Sequence, residues 1–172
     1  LAFLIKYSMK NLEYNVAIVG ATGLIGRKFI EVLEERRFPI ANARVFASER
    51  SRGKTLQAFG RTLTVESLEN NDFDEIDFAF FSAGKEVSRK YAPLFEKSGA
   101  IVIDNSSAFR GCSDIPLIVP ELNGDKVYSS DRKIIANPNC STIIAITPLK
   151  NIYKNYKIKR LIFSTYQSVS GS

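Results

Sequence analysis

The stretch Tyr14-Asn15-Val16-Ala17-Ile18-Val19-Gly20-Ala21-Thr22-Gly23-Leu24-Ile25-Gly26 decides how this chain folds. Residues 14–20 are a short apolar, β-branched run that ends on glycine, and residues 27–36 repeat apolar side chains at Phe29, Ile30 and Leu33 on a helical period. The order is strand, glycine turn, helix. Gly20, Gly23 and Gly26 are spaced G-x-x-G-x-x-G, which suits a tight turn, a backbone without Cβ close to a pyrophosphate, and helix amides aimed at an anion. A purely structural strand-to-helix turn is the alternative; the visible strand and helix on either side favour dinucleotide binding.

Working outward, residues 43–47, 77–81 and 101–103 read as further strands, and residues 85–98 and 142–153 as helices. Strands alternating with helices predict an α/β fold with a mostly parallel, doubly wound sheet. Residues 61–65 are expected to add a strand, in antiparallel sense. Residues 160–169, with Leu161, Ile162, Phe163, Ser164, Thr165 and Tyr166, are expected to begin another strand. There is no internal repeat and no low-complexity segment.

With 172 residues and 45% hydrophobic content the chain is long enough for one sizeable core and the beginning of a second domain. Lys and Arg outnumber Asp and Glu by 24 to 18, a mild positive field that favours anionic ligands such as phosphates. Nucleic acid is not expected as a partner, because the basic residues are dispersed and their densest cluster, residues 150–160, is interrupted by Ile152, Tyr153, Tyr156 and Ile158. Cys112 and Cys140 are too few for a disulfide framework, and no apolar run reaches a membrane span. A soluble, reducing, cytoplasmic setting without membrane contact is expected. The chain begins with Leu1 and its single methionine is Met9, the expected start; residues 1–13 read as a disordered extension, too short in its apolar part for a signal peptide.

After the second strand comes Ser48-Glu49-Arg50-Ser51-Arg52-Gly53-Lys54. An acidic residue at this point holds the ribose diol of NAD, whereas Arg and hydroxyls surround the 2′-phosphate of NADP. Arg50 and Ser51 suit the phosphate, and Glu49 would repel it; a solvated basic loop is the plain alternative. Cys140 follows Asn137, Pro138 and Asn139 and precedes the apolar pattern Ile143, Ile144, Ile146, so it is expected at a helix N-terminus. The helix dipole and free amides there favour a thiolate nucleophile and an oxyanion on an attacked carbonyl. The plain fate of a lone cysteine is burial as a small apolar residue, and that is the expectation for Cys112, which has no helix pattern behind it.

The runs Gly20-Ala21-Thr22-Gly23-Leu24-Ile25-Gly26, residues 47–51 (Ala-Ser-Glu-Arg-Ser), 104–110 (Asp-Asn-Ser-Ser-Ala-Phe-Arg), 119–123 (Val-Pro-Glu-Leu-Asn), 137–142 (Asn-Pro-Asn-Cys-Ser-Thr) and 164–171 (Ser-Thr-Tyr-Gln-Ser-Val-Ser-Gly) together resemble the aspartate-semialdehyde dehydrogenase family in order and spacing. The resemblance implies a Rossmann-like, NADP-binding domain over residues 14–139 and, over residues 140–172, the start of a truncated α+β catalytic and dimerisation domain. It also implies reversible reductive dephosphorylation of β-aspartyl phosphate to aspartate β-semialdehyde, the branch point toward lysine (through diaminopimelate), threonine and methionine.

By the same resemblance Cys140 is the nucleophile, Arg110 and Asn139 serve the substrate and its phosphate, and Gln167 contacts substrate and orients the cysteine. Gly20, Thr22, Gly23, Leu24, Ile25, Gly26, Arg50, Ser51, Ser170 and Gly171 contact NADP. By residue type alone Arg110 could be a surface ion pair and Gln167 any polar strand residue. No metal is implied, and a homodimer or homotetramer is implied for the full-length enzyme alone.

Two departures bear on activity. Arg52 stands where the family has a small residue, and the chain contains no histidine, although the family uses one as general acid/base in a second half. The chain alone is therefore expected to be inactive; a non-catalytic NADP-binding remnant is the alternative of different class. N-acetyl-γ-glutamyl-phosphate reductase shares the acyl-phosphate chemistry, but its cysteine is flanked by histidine and glycine where this chain has Asn137 and Asn139.

Overall fold

The computed structural model describes residues 13–69 and 71–166. Seven strands, β1 (Tyr14–Val19), β2 (Ile40–Phe46), β3 (Thr55–Ala58), β4 (Arg61–Glu66), β5 (Phe78–Phe81), β6 (Ile101–Asp104) and β7 (Ile134–Ala136), form one sheet in the order β3-β4-β2-β1-β5-β6-β7. All neighbours are parallel except β3 and β4. The helices are α1 (Leu24–Glu35), α2 (Lys85–Lys97), a single turn α3 (Pro120–Asn123) and α4 (Cys140–Asn155). This is the Rossmann-like, doubly wound arrangement: from β1 the chain winds outward to β2 and β4, then returns to β5 and winds the other way to β7.

The core explains why β1 is central. Val16, Ala17, Ile18 and Val19 are all buried, which a strand needs when helices cover both faces of its sheet. On one face Ile18 packs with Ile30 and Leu33 of α1 and with Val45 and Phe80. On the other, Phe95 of α2 stacks on Phe73 with centroids 4.0 Å apart and meets Phe46 and Phe81 edge-on.

The turn after β1 is built by two of its glycines. Gly20 has φ +89°, and a Cβ there would lie 2.9 Å from the backbone of Ser82 at the end of β5. A Cβ on Gly26 would lie 2.1 Å from the Gly20 carbonyl oxygen, so α1 crosses β1 at a distance no other residue permits. Gly23 differs: its backbone is extended, with φ −76°, and its Cβ would meet one atom at 3.3 Å.

The structure revises several expectations. Residues 61–65 do belong to an antiparallel strand, β4, paired with β3, but β4 also runs parallel to β2 through Val45 with Val65 and Phe46 with Glu66. α1 begins at Leu24 and α4 at Cys140, each earlier than its apolar period indicates. The strand expected over residues 160–169 is corrected for residues 160–166, which have no regular structure and are exposed, Ile162 at 84% and Tyr166 at 99%. β-propensity reflects packing on a pleated neighbour, and among the described residues no strand pairs with this run. Residues 167–169 and the expected extension at residues 1–12 lie outside the described residues. Cys112 is exposed rather than buried: it sits in the turn closed by its own N–H to the Phe109 carbonyl.

Between β6 and β7 the chain makes a long excursion, fastened at its far end by Arg132. Its guanidinium binds both oxygens of Glu96 on α2 and also the Asp114 carboxylate, while the Lys133 N–H reaches Glu96 at 2.8 Å. Burial opposes the charged form of Glu96, but Arg132 and the Lys133 and Ile134 amides outweigh it and hold the carboxyl below its ordinary value.

Two outcomes follow from this geometry. Gly26→Ala should cost about 3 kcal/mol or more, read from urea midpoints, whereas Gly111→Ala, with nothing within 4 Å of its Cβ, should stay within about 0.5 kcal/mol. Because the folded-state value of Glu96 is lowered, its contribution is complete above the ordinary value of 4.5 and is lost as the pH falls through the folded value. The gap in urea midpoint between wild type and Glu96→Gln should therefore be widest above pH 4.5 and close in more acid solution.

Candidate functional site

Parallel strands all end at one edge of the sheet, so the loops after β1, β2, β6 and β7 open on the same side. β1 is flanked by β2 and β5, the point where the winding reverses and where open α/β sheets leave a crevice.

The loop after β1 contributes the start of α1. No side chain caps this helix and no acidic residue lies in its first turn, so its leading amides and the positive end of its dipole face outward. Gly23, Leu24 and Ile25 are exposed there and Thr22 half-exposed; the Thr22 carbonyl accepts the Arg27 side chain at 3.2 Å. The turn is tied to β2, since the Phe46 carbonyl accepts the N–H groups of Gly20 and Ala21. Of the three glycines in this turn, Gly23 is the one whose absence of a side chain the fold least requires, which fits an approach by a ligand.

After β2, residues Glu49–Ser51 form a 3-10 turn. The Glu49 carboxylate is held below its ordinary value by the Ser67 hydroxyl and then by Arg52, whose Nη1 lies 3.1 Å away. Arg52 is thus committed to Glu49. Arg50 is exposed and, among the described residues, makes no ion pair; Ser51 is half-buried beside it.

The loop after β6 carries Arg110. Its Nε donates to the Asn137 carbonyl at 2.9 Å and its Nη2 to the Asn105 carbonyl at 3.1 Å. The side chain is half-buried and has no carboxylate partner among the described residues, so it is not the surface ion pair that its residue type allows. Among the described residues, Nη1 and one Nη2 hydrogen have no acceptor. Asn137 adds a side-chain hydrogen bond to Asn105 Oδ1 and a backbone N–H to the Asp104 carbonyl. Neither Asp104 nor Asn137 declares this role by residue type; the signal for Asp104 is a carboxylate closing an apolar strand.

The loop after β7 delivers Cys140 as the first residue of the 16-residue helix α4. Its thiol is exposed. Asn139 is the N-cap, accepting the Ser141 N–H on Oδ1 at 2.9 Å. The structure thus joins Arg110, Asn105 and Asn137 by hydrogen bonds and sets Cys140 at the end of the same short loop. Gln167, Ser170 and Gly171 lie outside the described residues. Among the described residues, no group of His, Cys, Asp and Glu could hold a metal ion and no helix is long and apolar enough to cross a membrane.

Residues 15–130 match the family described as semialdehyde dehydrogenase, NAD binding domain. An aspartate-semialdehyde dehydrogenase of Aquifex aeolicus is 54% identical over 163 residues, 94% of this chain and 48% of that protein. Aspartate-semialdehyde dehydrogenase 2 of Vibrio cholerae is 49% identical over 93% of this chain and 48% of its own length. This chain spans about half the length of the curated relatives it matches. The crystal structure of the Vibrio cholerae enzyme II complexed with ASA superposes with a TM-score of 0.80 at 49% identity, covering 83% of this chain and 47% of that one. The Candida albicans enzyme solved with NADP has a TM-score of 0.68 at 24% identity, covering 84% of this chain and 48% of that one, and shows the fold alone. With the family's domain matched across most of the described sheet and its fold shared by these structures, the chain belongs to the semialdehyde dehydrogenase family.

Proposed function

We propose that this chain supplies the NADP-binding, thiol-bearing part of an aspartate-semialdehyde dehydrogenase, acting on β-aspartyl phosphate and aspartate β-semialdehyde. The reading rests on one observation: a cysteine heading α4 and a half-buried arginine without an acidic partner are anchored to the same short loop, residues 137–140. An acyl phosphate needs both groups, a nucleophile for its carbonyl carbon and a cation for the departing phosphate.

The Cys140 thiolate attacks the acyl carbon, and the leading amides of α4 other than that of Ser141, which Asn139 caps, would stabilise the oxyanion on that carbon. The carbon–oxygen bond to phosphate breaks, phosphate leaves toward Nη1 of Arg110, and a thioester remains on Cys140. Asn139 keeps its Nδ2 for the substrate, and Gln167 orients the thioester. When bound, the dinucleotide supplies the hydride that reduces the thioester to the aldehyde. The uncapped start of α1 beside Gly23 would hold its pyrophosphate, and Ser170 and Gly171 would add contacts to it. Arg50 and Ser51 take the 2′-phosphate, with Glu49 neutralised by Arg52. A proton must also move to and from the reacting oxygen, and the chain has no histidine to carry it.

NADPH should bind more tightly than NADH when followed by its own fluorescence, and Arg50→Ala should weaken NADPH roughly tenfold while leaving NADH unchanged. Equal loss for both would remove Arg50 from the 2′-phosphate site. A positioned base is worth ~10² to 10⁴ in rate. The 172-residue chain should accordingly turn over aspartate semialdehyde with phosphate and NADP at least ~10²-fold more slowly than a full-length relative. A rate matching the relative would overturn the need for a histidine that this chain lacks, and a preference for N-acetylglutamate semialdehyde would overturn the assignment.

A further inference from the structure

Asp104 closes β6 with a carboxylate that is fully buried and, among the described residues, meets no cation. Oδ1 accepts the Ser88 hydroxyl at 2.7 Å and the Ser106 N–H at 3.2 Å, and Oδ2 accepts the Ser106 hydroxyl at 2.7 Å. Ser106 Oγ accepts the Ala108 N–H at 3.0 Å, and the Asp104 carbonyl accepts the Asn137 N–H at 2.8 Å. A buried carboxylate is costly, and the strand ladder of β6 does not need one. Its bonds converge instead on one object, the turn that leads to Arg110. Ser88 anchors that turn to the first turn of α2, Ser106 folds it, and Asn137 ties it to the loop carrying Cys140.

We propose that Asp104 is the positioning residue of the anion site: it sets the turn over residues 105–110 so that the Arg110 guanidinium stands beside the Cys140 thiol. This inference rests on the reading above, in which Arg110 receives the phosphate released at Cys140. Asp104 touches no substrate and acts through Ser106 and Arg110. An amide in its place keeps the volume but turns one acceptor oxygen into a donor facing hydroxyl and amide donors.

The test uses the charge selectivity of alkylation. The Cys140 thiolate displaces iodide from anionic iodoacetate or from neutral iodoacetamide, forming a sulfur–carbon bond in either case. The ratio of the two rates reports whether a cation stands beside the sulfur. Peptide mapping reads Cys140 and Cys112 in the same sample, and Cys112, also exposed, serves as internal reference. In the wild type the ratio at Cys140 should exceed that at Cys112, and Arg110→Gln should lower it on the order of three- to tenfold. Asp104→Asn should lower it to the Arg110→Gln value, with the Cys112 ratio unchanged. Inorganic phosphate should slow iodoacetate at Cys140 in the wild type and not in Asp104→Asn.

If Asp104→Asn does not fold, Ser106→Ala decides, because it leaves the carboxylate in place and removes the hydroxyl that joins it to the turn. A wild-type ratio in Asp104→Asn or in folded Ser106→Ala, with loss in Arg110→Gln, overturns the role of Asp104 and leaves the anion site standing. No change in Arg110→Gln overturns both.

Discussion

β1 is buried on both faces and paired on both edges, and that single constraint organises the molecule. A strand so placed admits only apolar or small residues, and Val16 to Val19 comply. Its neighbours on both sides run parallel to it, so each crossover must pass over a face and each strand must end at the same edge. The loops that carry Gly20 to Gly26, Glu49 to Ser51, Arg110 and Cys140 are gathered there by the direction of the ladder, and by no direct contact among all four.

The same edge is where charge is left uncompensated. α1 begins without a capping side chain or an acidic first turn, Arg50 lacks an ion pair among the described residues, and Arg110 is held by two carbonyls instead of a carboxylate. Other cations are matched: Arg132 is shared by Glu96 and Asp114, Arg44 binds Glu66 bidentately while lying over Phe46, and Arg52 pairs with Glu49. Backbone carbonyls orient a guanidinium without cancelling its charge. Arg50 and Arg110 thereby keep their charge uncancelled among the described residues, whereas Arg132, just ahead of β7 at the opposite end of the sheet, fastens the chain.

What could be read from the residues was what rests on local pattern. The run from Tyr14 to Gly26 reveals strand, turn and helix because burial on both faces demands a continuous apolar strand and because close crossing demands glycine at residue 26. The helix position of Cys140 follows from the apolar period of Ile143, Ile144 and Ile146 behind it. β3 escapes notice because Thr55–Ala58 mixes polar and apolar residues at the sheet edge and lacks the continuous apolar run that marks the equally short β5 and β6, and β7 because three residues do not stand out from a loop. The exposure of Cys112 depends on how the excursion between β6 and β7 lies on the surface, which no local pattern encodes. Residues 160–166 have strand composition but no described neighbour to pair with, and composition cannot supply a partner. The carbonyl clamp on Arg110 draws on Asn137, 27 positions on, and the network at Asp104 on Ser88, 16 positions back, so neither is visible until β6, β7 and the helix after β5 lie side by side.

The central claim is that one edge of the sheet binds the dinucleotide and the phosphate on separate loops. Backbone amide chemical shifts of the 172-residue chain, followed through titrations with NADPH and with inorganic phosphate, test it most directly. NADPH should move the amides of Gly20 to Gly26 and of Arg50 and Ser51, and phosphate those of residues 105–110 and 139–141. Shifts confined to the far end of the sheet, around Arg132 and the β3–β4 hairpin, would contradict the account.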